Sequence, residues 1–231
     1  MDLEFWNSEI ELMKRDELEQ LQLERFKKTL VNVYENTAFY KKRLDECGVN
    51  PYKFSDFTQM DQIPFTTKDD LRLNYPFELF AKPLNQIVRV HSSSGTTGNP
   101  TVVGYTKSDI KMWGEAVARQ LFAIGLRPGD TIQNSYGYGL FTGGLGLHYG
   151  IEELGAIAVP VSGGNTERQI KIMQDFKTAA ICCTPSYALY IAETGKEMGI
   201  DFGSTTLRAG IFGAEPWTDV MRTEIEQRLG I

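Results

Sequence analysis

The residues best suited to chemistry form one run of hydroxyls and glycines, Ser92-Ser93-Ser94-Gly95-Thr96-Thr97-Gly98-Asn99-Pro100. Positions 92–98 alone hold five hydroxyl side chains and two glycines. Glycines let backbone N–H groups turn toward an anion and let it approach closely. Hydroxyls donate further hydrogen bonds to phosphoryl oxygens. Pro100 stiffens the exit. The run is neither GxxxxGK[ST] nor GxGxxG, and it contains no lysine. The same composition would suit a flexible serine-rich surface loop. Its place between strand-like segments at 87–91 and 101–105 favours an anion cradle.

Two further loops stand out. Tyr136-Gly137-Tyr138-Gly139-Leu140-Phe141-Thr142-Gly143-Gly144 mixes aromatics with glycines. On its own it fits a core aromatic pair beside a flexible turn. Gly213-Ala214-Glu215-Pro216 reads on its own as a strand-to-helix turn. His91 and His148 read as packed histidines, and no Ser/His/Asp set is evident.

These loops need elements to position them. Residues 1–80 read as a charged, helical segment without a catalytic constellation; Leu18, Leu23, Phe26, Leu30 and Val33 recur at helical spacing. Cys47-Gly48-Val49-Asn50-Pro51 reads as a helix stop and turn. Thr66 or Thr67 caps a following helix. From residue 81 the character becomes α/β. Thr106 opens a helix with Asp109 as a partial capping box. Its expected buried face is Ile110, Trp113, Val117, Leu121 and Ile124, and Gly125 fits the position just past its end. Strands are expected at 131–135, 156–161, 179–183 and 207–212. Helices are expected at 145–154, at 167–176, from Pro185, and at 218–229. This alternation predicts a mainly parallel α/β sheet flanked by helices. Ligands bind at the carboxyl ends of such strands. The three unusual loops are therefore expected to share one sheet edge.

Composition bounds the partners. The 231 residues carry 24 Lys and Arg against 30 Asp and Glu, a net charge of −6, which disfavours a nucleic-acid or anionic-membrane binder. No apolar stretch is long enough for a membrane span, and the charged start resembles no signal or transit peptide. Cys47, Cys182 and Cys183 form a poor disulfide framework, and no Cys/His cluster suggests zinc. They read as buried small hydrophobes in a reducing cytoplasm.

The run SSGTTGNPTVVGYT resembles the phosphate-binding signature of the adenylate-forming enzymes, and within them the phenylacetate–CoA ligase branch. Three more segments are similar to that branch, in order: IPFTTKDDLRLNYPF, SYGYGLFTGGLGLHYG and GIFGAEPW. The resemblance covers the whole chain. Thr101 stands where most of the superfamily has lysine, and Asn99 where many branch members do. It implies the N-terminal large domain of the adenylate-forming fold. It also implies that a carboxylic acid reacts with ATP to an acyl-adenylate and then with coenzyme A, with Mg²⁺ as a further cofactor. On that resemblance Ser92, Ser93, Ser94, Gly95, Thr96, Thr97 and Gly98 cradle phosphates. Gly213, Ala214, Glu215 and Pro216 flank the adenine. Tyr136, Phe141 and Gly139 line an aryl-acetate pocket, with Gly137, Gly143 and Gly144 leaving room for a flat ligand. Phenylacetate is the expected acid, with hydroxyphenylacetate or indoleacetate as alternatives. Catalytic residues and a small C-terminal domain are expected beyond Ile231, so the chain is expected to be an N-terminal fragment, inactive alone. The resemblance leaves a homodimer open. Other readings are a non-catalytic nucleotide-fold assembly module, or a relative that adenylates another acceptor without coenzyme A.

Overall fold

A computed structural model describes residues 4–93, 98–140 and 142–231. The chain forms two compact units, Asn7–Asp109 and Ile110–Ile231, the second including the segment that ends at Trp6.

The first unit begins with helices α1 (Ser8–Glu11), α2 (Arg15–Asn36) and α3 (Ala38–Glu46). Leu23, Phe26 and Leu30 of α2 pack with Leu44, Val49 and Phe54 into a small core. Gly48 has φ +73°, the left-handed conformation that ends a helix. Of the two candidate caps, Thr67 serves α4 (Lys68–Leu73): its hydroxyl accepts from the Asp70 N–H, and the Asp70 carboxylate accepts from the Thr67 N–H. Arg43 of α3 reaches the same carboxylate through both terminal nitrogens, each at 3.0 Å.

Strands β1 (Ile87–Ser92) and β2 (Val102–Thr106) complete this unit as an antiparallel hairpin. Val90 faces Gly104, His91 faces Val103 and Ser92 faces Val102. This corrects one expectation. The hairpin is a separate two-stranded sheet, so its loop does not follow a strand of the parallel sheet. Each strand satisfies the other's backbone groups locally. Strand-like patterning reports an extended segment but not its partner.

The second unit is the α/β layer structure. Its elements follow in order as α5 (Lys107–Ala123), β3 (Thr131–Asn134), α6 (Thr142–Glu153), β4 (Ile157–Val159), α7 (Thr166–Asp175), β5 (Ala180–Cys183), α8 (Pro185–Glu197), β6 (Ala209–Phe212) and α9 (Asp219–Leu229). The four strands pair in parallel in the order β4-β3-β5-β6. Successive side chains of β5 point to opposite faces. Ala180 and Cys182 join a core with Ala118, Leu121, Phe122, Ile151 and Leu154, whereas Ile181 and Cys183 join one with Ile170, Ala188, Ile191, Ile225 and Leu229. Helices α5 and α6 therefore cover one face, and α7, α8 and α9 the other. Cys182 and Cys183 are fully buried, and burial raises both thiols well above their ordinary range. They act as small hydrophobes.

The buried seam of α5 differs from the expected face. Gly114, Ala118, Leu121 and Phe122 are buried, while Ile124 is 48% exposed. A Cβ at Gly146 would overlap Trp113, and one at Gly150 would overlap Val117. Glycines of α6 thus let the two helices close together, and the seam runs along small residues rather than bulky ones. Helix α6 also starts at Thr142, so Gly143 and Gly144 are helical.

Candidate functional site

The parallel sheet brings the segments after β3, β4, β5 and β6 to one edge, because all four strands run the same way. Tyr136, just past β3, anchors this edge. Its hydroxyl donates to the Cys183 carbonyl at the end of β5, at 2.6 Å. A Cβ at Gly213 would lie 3.7 Å from the same hydroxyl. Tyr136 therefore sits against the turn after β6, and sequence reading and structure agree in bringing these two loops together. Burial pushes the Tyr136 phenol above its ordinary range, so it stays neutral and can donate.

The turn after β6 is held by its own carboxylate. Ala214 adopts φ +70°, a left-handed conformation rare for a residue with a Cβ. Next to it, Glu215 accepts from the Ser186 N–H at 2.6 Å. Ser186 lies in the first turn of α8, whose N-cap Thr184 accepts from the Tyr187 N–H. The orphan N–H groups of α8 are thus met by Thr184 and Glu215. The hydrogen bonds from Ser186 hold the Glu215 carboxyl below its ordinary range. Phe212 and Trp217 flank the turn with rings 5.9 Å apart. Gly213 is half-buried, and Ala214 and Pro216 are exposed.

Beside Tyr136 lies an open groove of about 430 Å³, walled by Ser135, Gly137, Gly163, Gly164, Thr184, Ser186, Tyr187 and Tyr190. Three tyrosine rings and three glycines give it flat, amphipathic walls suited to an aromatic or planar ligand. Sequence reading missed Gly163, Gly164, Thr184, Tyr187 and Tyr190. The parallel topology is the signal that could have found them, because it sends the ends of β4 and β5 to the edge already holding Tyr136.

The glycines of the 136–144 segment divide. Gly137 and Gly139 have open space where a Cβ would stand. Gly144 does not: a Cβ there would overlap the Gly137 carbonyl. Its small size serves the loop-to-helix packing, as does Asn134, which donates to the Gly144 carbonyl at 2.7 Å and to the Tyr138 hydroxyl at 2.8 Å. His148 is held between Tyr138 and Glu152, at 3.3 and 3.2 Å. Phe141 lies outside the described residues.

The hydroxyl run belongs to the other unit and is seen at its base. Ser93 N–H donates to the Thr101 carbonyl, and the Ser93 hydroxyl accepts from the Thr101 N–H, both at 3.0 Å. Ser92 donates to the Ser93 carbonyl at 3.1 Å. Gly98 has φ +110°, which only glycine adopts readily, and open space at its Cβ position. Ser94, Gly95, Thr96 and Thr97 lie outside the described residues.

No protein-family model matches the chain. Curated relatives do. The chain is 53% identical over 223 residues to the phenylacetate-coenzyme A ligase of Escherichia coli, covering 96% of this chain and 51% of the relative. It is 51% identical over 226 residues to that of Thermus thermophilus, covering 98% of this chain and 51% of the relative. The chain thus spans about half the length of the curated relatives it matches. Among solved structures, a 2-hydroxyisobutyryl-CoA ligase in complex with 2-HIB-AMP and CoA superposes with a TM-score of 0.93 at 29% identity, over 99% of this chain and 50% of that one. A long-chain-fatty-acid-CoA ligase from Archaeoglobus fulgidus, at 21% identity and TM-score 0.51, shares the fold over 64% of the chain.

Proposed function

The chain belongs by sequence and fold to the phenylacetate–CoA ligase branch of the adenylate-forming enzymes, and from that premise we propose that the whole protein activates an aryl-acetic acid, phenylacetate first among them. In the first half-reaction a carboxylate oxygen attacks the α-phosphorus of ATP, giving the acyl-adenylate and releasing pyrophosphate. In the second the coenzyme A thiol loses its proton and attacks the acyl carbon, and AMP leaves. The protein's part is to position the reactants and to stabilise developing phosphoryl charge.

The observation that carries the reading is the meeting of Tyr136 with the Gly213–Glu215 turn at one sheet edge. On this reading Tyr136, Gly139 and Phe141 bound the aryl group. Gly213, Ala214, Glu215 and Pro216 present a backbone surface to the adenine. Ser92, Ser93, Ser94, Gly95, Thr96, Thr97 and Gly98 hold the phosphates through N–H and O–H donors. Mg²⁺ belongs to the proposal as the ion that accompanies ATP. Among the described residues no group of three or more His, Cys, Asp or Glu side chains could hold a metal ion. No helix among the described residues is long and apolar enough to cross a membrane. The proposal also includes a cytoplasmic location, small-molecule substrates and a homodimer as the assembly.

The test is acid-dependent ATP–pyrophosphate exchange by the whole protein with phenylacetate, hydroxyphenylacetate, indoleacetate and aliphatic acids. Exchange strongest with an aryl-acetic acid supports the reading. Exchange confined to aliphatic acids overturns the substrate assignment.

A further inference from the structure

The segment after β4 turns through three left-handed residues, Ser162 at φ 61°, Gly164 at φ 86° and Asn165 at φ 50°. Two of the three are not glycine, and such conformations persist only where the surroundings determine them. Two bonds support it from outside: the Ser162 N–H donates to the Asn134 carbonyl at 3.2 Å, and the Tyr187 hydroxyl lies 3.4 Å from the Gly164 carbonyl. Asn165, the N-cap of α7, makes no side-chain cap bond. The segment also forms one wall of the groove beside Tyr136, through Gly163 and Gly164.

One buried side chain adds the shortest bonds to it. Gln169 of α7 is 2% exposed. Its Nε2 donates to the Ser162 and Gly164 carbonyls, both at 2.8 Å. Its Oε1 accepts from the Ser135 hydroxyl at 2.7 Å and from Gln133 Nε2 at 3.2 Å. The amide orientation is fixed by chemistry, because two carbonyls can only accept and so demand the NH₂ end. Gln133 must in turn present its own NH₂ group. Its Oε1 then remains buried without a partner among the described residues. All of Gln169's donors are used, and its oxygen joins the wall after β4 to Ser135, the residue preceding Tyr136.

We propose that Gln169 is a positioning residue: its amide latches the Ser162–Gly163–Gly164–Asn165 wall to the end of β3 and thereby sets the width of the groove beside Tyr136. Neither a carboxylate nor an aliphatic side chain can replace it. A carboxylate would face two carbonyls with like partial charge. A leucine would leave the Ser162 carbonyl and the Ser135 hydroxyl without their Gln169 partner, and the Gly164 carbonyl with only the Tyr187 hydroxyl at 3.4 Å. The kinetic consequence rests on the acid-activating function proposed above, whereas the latch itself does not.

Two measurements on the whole protein test this, with Ile170→Ala as the comparison. Ile170 is a fully buried neighbour on the same helix, packed in the core with residues of β5, α8 and α9. The first is amide hydrogen exchange. Gln169→Leu is expected to speed exchange across residues 162–165 by about tenfold or more, the effect of losing one to two net hydrogen bonds, while β3 and β5 stay protected. The latch is overturned if exchange at 162–165 rises no more than in Ile170→Ala. The second is steady-state kinetics. Gln169→Leu and Gln169→Glu are expected to raise the KM for phenylacetate about tenfold while leaving the KM for ATP near that of the parent, a split that general destabilisation does not produce. The Gln169→Glu defect is expected to lessen at acidic pH, where the protonated carboxyl regains one donor. An unchanged phenylacetate KM beside altered exchange overturns the groove-setting role and leaves a merely structural latch. If the parent protein does not turn over phenylacetate at all, the substrate assignment fails, and exchange at 162–165 still decides the latch.

Discussion

Tyr136 donates its hydroxyl to the Cys183 carbonyl at 2.6 Å, and this bond ties the loop after β3 to the end of β5. Cys183 is buried, so its carbonyl depends on that partner. The bond also fixes the ring at the edge of the groove and against Gly213. Tyr136→Phe should keep the ring and lose the tie. The expected cost is about 1 kcal/mol of stability, typical of one buried hydrogen bond, read by urea unfolding. Tyr136→Ala should instead abolish most use of aryl-acetic acids. Equal kinetic losses in the two variants would contradict a role for the ring itself.

Glu215 holds the turn after β6 by accepting from the Ser186 N–H. Glu215→Ala should raise the KM for ATP in the whole protein, because the turn proposed to face the adenine loses its anchor. Glu215→Gln keeps an oxygen that can accept, and should retain most of the affinity. The carboxyl is held below its ordinary range, so its contribution to stability is present above the unfolded pKa and is lost as pH falls through the folded one.

Asp70 gives a second pH prediction, in the other unit. The Thr67 backbone N–H, and then Arg43, lower its carboxyl to about 2. The pairing therefore stabilises the fold above the ordinary carboxylate range, near 4, and loses that contribution as pH falls toward 2. A carbon NMR titration of Asp70 should show this low midpoint, and Arg43→Ala should move it upward. An ordinary midpoint in the parent would remove the pairing from the account.

Gly150 tests the packing of α5 on α6. A Cβ there would overlap Val117, so Gly150→Ala should destabilise the protein by about 1–3 kcal/mol, the usual cost of overpacking. The gain in helix propensity acts against this but is smaller, at most about 1 kcal/mol. The double variant with Val117→Ala should recover part of the loss. Full stability in Gly150→Ala would show that the helices have room to separate.

Much of this architecture was legible in the residues because strands and helices announce themselves by period. The α/β alternation from β3 to α9 follows the apolar pattern closely, and the caps Thr67 and Thr106 mark helix starts by chemistry that is local. Contacts between distant segments were less legible. The extended pattern at 87–91 said nothing of its partner, and the pairing proved to be with 102–106. The seam of α5 runs along Gly114 and Ala118, which carry little hydrophobic signal. Gln169 reads as a surface polar residue on α7 until the sheet places Gln133 and Ser135 beneath it. At the candidate site, Tyr136 and the Gly213–Pro216 turn were singled out by resemblance, and the structure brings Tyr136 and Gly213 together. Tyr187, Tyr190 and the wall at Gly163 were missed because no single segment contains them.

The most direct test of the central claim is phenylacetate-dependent ATP–pyrophosphate exchange by the whole protein, measured for the parent and for Tyr136→Ala. The account predicts exchange that requires phenylacetate, exceeds that with aliphatic acids, and falls by an order of magnitude or more in the variant, as expected when about 1–3 kcal/mol of aromatic contact and burial is removed. No exchange with any aryl-acetic acid, or exchange indifferent to Tyr136, would contradict it.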